Sequence, residues 1–457
     1  MSGCVRHRRS CRSWRERAFV LCVLSGVPGS LLFAQLPPSQ GNESPLPLPV
    51  PVPAPGPPLP PSPAPTPPTG LARWLNPSTA PFIPVPEIAT DPNGGTTVGL
   101  LPVWLRTNDS HDIDRIIAPD FFHNSYFGYG MHARLYEYPS EDEQWSVVAG
   151  AKERVEREFD LEYQVGRARR SRWTITGGLI SDRDGTPRFY GIGNSTVESA
   201  ESNYTAQQQL ARAQIGFNLS RTWQLAYTAR VRTVDVQPGT LPGIDSIQQR
   251  FGYSTLGSST EVLHRLSLVY DTRDDVTIPS RGMQWVAYCG VAGRNAFFSD
   301  SLYNETGIDG RGFWPVSQDS TLAAHMAVRY LVGGSHNAPF WALSTLGGEQ
   351  SEIAGEQPLR GFGAGRFTDK DSFSTTVEWR HRVLSFDAVS SHVDVEVAPF
   401  VDAGRVFSQG GVWPVDQLHH VIGVGFRGIA RPFVVGYVDI GYGSEGSAIF
   451  TGLNYPF

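Results

Sequence analysis

TWQLAYTARVR, residues 222–232, alternates strictly: Trp223, Leu225, Tyr227, Ala229 and Val231 fall on one side, Gln224, Thr228, Arg230 and Arg232 on the other. A period of two is the signature of an extended strand whose faces meet different surroundings. The pattern recurs in 321–332, where Leu322, Ala324, Met326, Val328 and Tyr330 oppose His325 and Arg329. It recurs in 393–405, where Val393, Val395, Val397 and Val401 oppose Asp394, Glu396 and Asp402. A soluble sandwich shows the same alternation. Two features favour a barrel in a membrane. The polar faces carry Arg, Glu and Asp, which suits a wet lumen. The apolar faces carry many Trp, Tyr and Phe near strand ends, as an aromatic girdle does.

Read outward from these segments, the chain from about Thr96 to Phe457 repeats runs of about ten alternating residues closed by Gly, Asn, Asp or Pro. Sixteen strands are expected, at approximately 96–106, 125–137, 144–152, 153–168, 172–181, 203–217, 222–234, 260–271, 281–292, 302–316, 321–332, 372–384, 393–407, 419–429, 431–443 and 446–457. Sixteen is even, as bacterial barrels require, and the first and last strands should meet so that no edge is left open. Pro456 lacks an N–H and weakens that seam at its end. The expected fold is therefore all-β, a 16-stranded antiparallel transmembrane β-barrel, with the domain running over 81–457.

Composition agrees. The chain has 457 residues, 40% hydrophobic and 18% charged, with no later run of twenty uncharged apolar residues, so a bundle of membrane helices is excluded. Cys4, Cys11 and Cys22 lie at the N-terminus and Cys289 stands apart, which excludes a disulfide framework and a Cys-based zinc site. Six arginines over residues 1–17 precede the apolar stretch Ala18 to Ala34, a pattern that reads as a signal peptide over 1–34. Those 34 residues carry six Arg and one Glu; without them 38 basic and 44 acidic residues become 32 and 43, a charge of −11. No nucleic-acid partner is expected of such a chain. From Pro37 to Pro68, 16 of 32 residues are proline. Residues 35–80 are thus expected to form a disordered, polyproline-rich spacer, with peptidoglycan as one partner for that arm.

The longest gap between strands, 333–371, is too long for a hairpin loop and ends in GEQPLRGFGAGRFTDKD. Leu359-Arg360-Gly361-Phe362 resembles the V/I-R-G-F/Y motif of the Omp85 superfamily (the BamA/TamA and surface-antigen type). In that family the loop folds back into the lumen, and the motif arginine pairs with acids on the two strands that follow. The resemblance implies Glu378, in TTVEW, and Asp402, in FVDAG, as partners of Arg360, with Phe400 beside them. Gly361 and its neighbours Gly363 and Gly365 would allow a tight loop path. Tyr270-Asp271-Thr272-Arg273-Asp274 with Ile278-Pro279-Ser280-Arg281-Gly282 is similar to another family turn. So is Arg188-Phe189-Tyr190-Gly191-Ile192-Gly193-Asn194, with Asn203-Tyr204-Thr205, to a family loop. The terminal Phe457, with Ile449, Leu453 and Tyr455 in phase, resembles the C-terminal signal of outer-membrane barrels and is expected on the lipid face. The resemblance spans about 360 residues. It departs from most members between Gln35 and Thr96, where no periplasmic POTRA module fits.

Other motifs carry little chemistry. GVGFRG (423–428) fits G-x-G-x-x-G but sits in a strand with no helix to hold a phosphate. His419 and His420 are adjacent and face opposite ways, so no shared metal is expected. Ser110-His111-Asp112 matches a triad by letters alone, and no G-x-S-x-G elbow occurs. No enzyme and no cofactor are expected. The resemblance implies insertion or translocation of polypeptide or lipid at the outer membrane, with membrane lipid and polypeptide as partners. The alternative is a passive plugged channel or structural barrel, its ion preference set by lumen residues such as Arg212, Arg230, Arg232, Arg329, Arg380 and Arg382 against Asp394 and Glu396.

Overall fold

A computed structural model describes residues 83–457 except 109–112, 141, 167–168, 294–298, 300, 333–337, 389–390, 409–414, 431–433, 454 and 456. The expected signal peptide, the proline-rich spacer and Ser110-His111-Asp112 lie outside the described residues. Among the described residues twenty strands join one antiparallel sheet. In chain order they begin with β1 (Ile83–Asp91), β2 (Gly95–Thr107), β3 (Ile113–Ile117), β4 (Asp120–Asn124), β5 (Gly128–Ser140), β6 (Glu143–Lys152), β7 (Arg157–Val165) and β8 (Trp173–Asp184). A two-residue piece, β9 (Arg188–Phe189), precedes β10 (Ser202–Asn218), β11 (Trp223–Pro238), β12 (Gly257–Asp271), β13 (Gly282–Ala292), β14 (Tyr303–Ser317) and β15 (Ser320–Val332). Two short strands inside the long loop, β16 (Ser344–Leu346) and β17 (Phe367–Asp369), pair only with each other. The sheet ends with β18 (Asp371–Ala388), β19 (Ser391–Phe407), β20 (His419–Ala430), β21 (Val434–Gly443) and β22 (Gly446–Leu453).

Each strand pairs with its sequence neighbours, with β8 pairing β10 and β15 pairing β18. β3 and β4 share both neighbours, β2 and β5, and so are two halves of one crossing broken at Ala118-Pro119. β9 pairs only with β10. That leaves eighteen wall crossings among the described residues, not sixteen. The two that sequence reading missed are β1 and the β3–β4 crossing. Pro84 and Pro86 stand in the first and Pro119 splits the second, and proline argues against a strand everywhere except at an edge or a break. β1 and β22 lie side by side and bring the two ends of the sheet together, without a ladder between them among the described residues.

The two faces divide as the alternation implies. Trp173, Leu179, Trp223, Leu225, Tyr227, Leu266, Leu268, Trp314, Trp379 and Phe426 are exposed on the outside. Glu261, Arg265, Glu305, Asp309, His325, Arg329, Asp394 and Glu396 are buried on the inside. A soluble protein inverts that arrangement; apolar out and charged in is stable only where the outside is lipid. Long connections (185–201, 239–256, 333–370) gather at one end of the wall, and short turns such as 219–222 and 318–319 at the other.

Candidate functional site

The long loop enters the lumen through a neck. β16 pairs with β17, so the chain leaves and returns at one point. Inside, Leu359 N–H donates to Gly348 O (3.0 Å) and Gly348 N–H to Phe362 O (2.9 Å), which ties the loop across itself. Leu346, Leu359, Phe362 and Phe367 then pack as one buried cluster with Phe400 and Val406 of β19 and Val421 of β20. Burial of these side chains fixes where the loop rests. It also brings the loop backbone against β21: a Cβ on Gly441 would lie 1.9 Å from Arg360 O, so only glycine fits there.

Arg360 is the residue so delivered, and it is fully buried. Its backbone N–H donates to Asp402 Oδ2 (3.0 Å), its Nε to the same oxygen (3.0 Å) and its Nη2 to Asp402 Oδ1 (2.8 Å). Its Nη1 donates to Glu378 Oε1 (2.6 Å) and to Asp439 Oδ2 (2.8 Å). The guanidinium lies 3.5 Å from the centroid of the Phe400 ring. Burial alone would lower the pKa of Arg360; the carboxylates of Asp402, Glu378 and Asp439 outweigh it and hold the group well above its ordinary value.

Two more arginines complete the cluster. Arg427 on β20 donates to Asp439 and to Glu378 Oε1 (3.3 Å), and Arg380 Nε donates to Glu378 Oε2 (3.0 Å). Three guanidinium groups thus face three carboxylates, each at most 1% exposed. Charges buried at this depth survive only when paired. The arrangement holds the loop; it offers no nucleophile or free acid–base pair. Among the described residues no group of three side chains could hold a metal ion.

Of the residues expected from sequence, Arg360, Gly361, Phe362, Glu378, Phe400 and Asp402 come together at this point. Asp439 and Arg427 were missed. Both sit on the polar phase of their strands, but they lie 79 and 67 positions from Arg360 and no local signal links them to it. A second fastening at Arg366 was also missed. It forms a two-pronged pair with Glu445 (2.6 and 2.8 Å), donates to Thr196 O (2.8 Å) and stacks 4.3 Å from Tyr190. The 188–203 segment thereby covers the loop's neck, with Asn194 accepting from Val406 N–H (3.0 Å) and His419 hydrogen-bonded to Asn194 O (2.9 Å). At the opposite end Asp271 accepts from Arg273 (2.9 Å) and Arg169 (3.1 Å), which braces the 272–281 turn.

Tyr455 and Phe457 do not lie on the lipid face. β22 ends at Leu453, and both aromatics turn into the lumen beyond it. Phe457 packs with Phe313 and Ala323, and Tyr455 with Ile278 and Ile429. The phase that put them outside holds only while the strand continues, and it stops short of them.

The profile of the Omp85 superfamily domain matches residues 143–423, more than half of the chain. No curated protein sequence matches it. Among solved structures, the BamA of Haemophilus ducreyi lacking POTRA domains 1–3 superposes with a TM-score of 0.47 at 12% identity, over 81% of this chain and 75% of that one. CdiB from Escherichia coli gives 0.42 and 11%, over 82% and 62%. CdiB from Acinetobacter baumannii gives 0.44 and 12%, over 82% and 59%. The chain spans less than two thirds of either CdiB.

Proposed function

This chain belongs to the Omp85 superfamily, and from that premise we propose that it is an outer-membrane barrel that inserts or translocates polypeptide, or lipid, with the Arg360 loop as its removable plug. The observation that carries the reading is the buried cluster of Arg360, Arg380 and Arg427 with Glu378, Asp402 and Asp439. A charge network of this depth is poor value as a stabiliser, because apolar packing of the same volume does as well. It is well suited to a part that must seat in one place and yet be released when water enters, since every member is a strong hydration partner. Residues 1–34 serve as the export signal in this reading, 35–80 as a spacer beside the membrane with peptidoglycan within its reach, and 81–457 as the barrel. The partners are membrane lipid and an unfolded or secreted polypeptide.

The test uses the mature chain folded into liposomes, with a small unfolded barrel protein as substrate. Faster insertion than in protein-free liposomes, lost in Arg360→Ala, is the expected result. Insertion no faster than in bare liposomes, under conditions where a POTRA-bearing relative is active, would sink the reading. A plugged channel or structural barrel would then stand in its place.

A further inference from the structure

Beyond Leu453, Tyr455 and Phe457 do not follow the wall. They lie in the interior at the short-turn end, Phe457 on the lumenal face of β14 and β15, with β18 to β21 standing between those strands and β22 in the wall. Phe457 is 6% exposed, packs on Phe313 and Ala323, and stacks on His325 with ring centroids 5.3 Å apart and an interplanar angle of 23°. Tyr455 lies 3.9 Å from the Arg380 guanidinium, and its hydroxyl donates at 3.5 Å to the Glu396 carboxylate. Phe457 and Phe313 approach the same guanidinium at 5.2 and 5.5 Å. A cavity of about 280 Å³ opens beside the tail, with Arg273 and Arg311 in its wall.

Arg380 joins this tail to the plug. Its Nε is held by Glu378, which also accepts from Arg360. Its Nη1 and Nη2 are buried and have no acceptor among the described residues. The rings of Phe313, Tyr455 and Phe457 lie over the guanidinium. Ring quadrupoles attract a desolvated cation, but they do not replace its hydrogen bonds. With the tail seated, the four N–H donors of these two nitrogens have no acceptor among the described residues; with the tail withdrawn, water reaches them. The seated state is therefore poised rather than deep.

We propose that the C-terminal tail carrying Tyr455 and Phe457 is a displaceable latch that closes the short-turn mouth of the lumen and is coupled to the Arg360 plug through Arg380 and Glu378. The inference rests on the reading of this chain as a plugged membrane pore. In that scheme the long loop stops one mouth and the tail stops the other; release of the loop takes Arg360 away from Glu378, and release of the tail hydrates Arg380 beside it.

The experiment is single-channel recording of the refolded mature chain in planar bilayers, in a Cys289→Ser background. Phe457→Cys with Ala323→Cys puts a thiol on each side of that contact, and a movement of the last residues by a few ångströms would let them form a disulfide on oxidation. The reduced form should then open more often than the oxidised form. Tyr455→Ala with Phe457→Ala should raise unit conductance roughly two-fold or more by clearing two aromatic rings from the short-turn end of the lumen. Failure of the cysteines to cross-link, or equal opening of oxidised and reduced forms, overturns the latch. If the double alanine variant does not fold, the oxidised and reduced comparison decides alone. Arg360→Ala separates the two ideas. Raised conductance there with silent tail variants sinks the latch and spares the plug. Raised conductance in the tail variants with a silent Arg360→Ala sinks the plug and, with it, the coupling proposed here, leaving the tail as a stopper on its own.

Discussion

Arg360 donates five hydrogen bonds, three of them to Asp402 and one each to Glu378 and Asp439. The uneven division ranks the substitutions. Arg360→Ala leaves three carboxylates facing two arginines, and removing one partner of a buried pair costs roughly 3–5 kcal/mol. Arg360→Lys keeps the charge but loses the fork that spans Asp402, so its cost should fall between wild type and alanine. Asp402→Asn should loosen the loop more than Asp439→Asn, because Asp439 accepts only one bond from Arg360 and is also held by Arg427. Trypsin cleavage within the loop, at Arg366 or Lys370, gives the order directly. Cleavage of Asp439→Asn faster than Asp402→Asn would show that the weight sits on β21 instead.

At the scale of elements, the loop carries its own titration. Glu349 and Glu356 are half-buried in it, and desolvation pushes their pKa values up to about 7 and about 8. Glu352 and Asp91 add to the rise at Glu356; Asp439 and Asp91 add to it at Glu349, where a Tyr437 hydrogen bond and Arg360 oppose it. Undocked, both carboxyls would titrate near 4.5. Between 4.5 and about 8 the docked loop therefore binds more protons than the undocked one, so docking weakens as pH rises through that window. Loop proteolysis should be slower at pH 5.5 than at pH 8.5, and Glu349→Gln with Glu356→Gln should flatten the difference. An unchanged pH profile in the double variant would remove these two groups from the account. None of this was legible in the sequence, where GEQSEIAGEQ looks like a solvated acidic loop; only the neck formed by β16 and β17 places it inside. What was legible had local causes: the alternation at 222–232 and 321–332 gave the wall, and the 359–362 motif with acids on the next two strands pointed to the plug. The cluster members from β20 and β21, and the inward turn of Tyr455 and Phe457, arise from contacts distant in sequence.

The wall as a whole closes where β1 meets β22, and the register of β1 shows why that joint is weak. Pro84 stands opposite Pro102 and Pro86 opposite Leu100. In an antiparallel pair, facing residues either exchange both hydrogen bonds or none. Pro84 and Pro102 have no N–H to exchange, so the bonded set is the alternate one: Val85 with Leu101, Glu87 with Gly99, Ala89 with Thr97. The nitrogens of Pro84 and Pro86 therefore point away from β2, toward β22. Two successive outward donors are missing from the strand that must complete the cylinder, and the absence of a β1–β22 ladder among the described residues follows from it. An edge left so is normally a liability; here the prolines keep it from zipping shut. Pro84→Thr with Pro86→Thr restores both donors while keeping residues suited to a strand. The expected outcome is slower hydrogen exchange at the β22 amides and a higher temperature for loss of the folded barrel in detergent. If the plug opens independently of the seam, pore conductance should stay at the wild-type level in this variant. If conductance falls as exchange slows, the seam itself is part of the pathway. Exchange at β22 as fast as in wild type would mean that something other than the missing N–H groups holds the two strands apart.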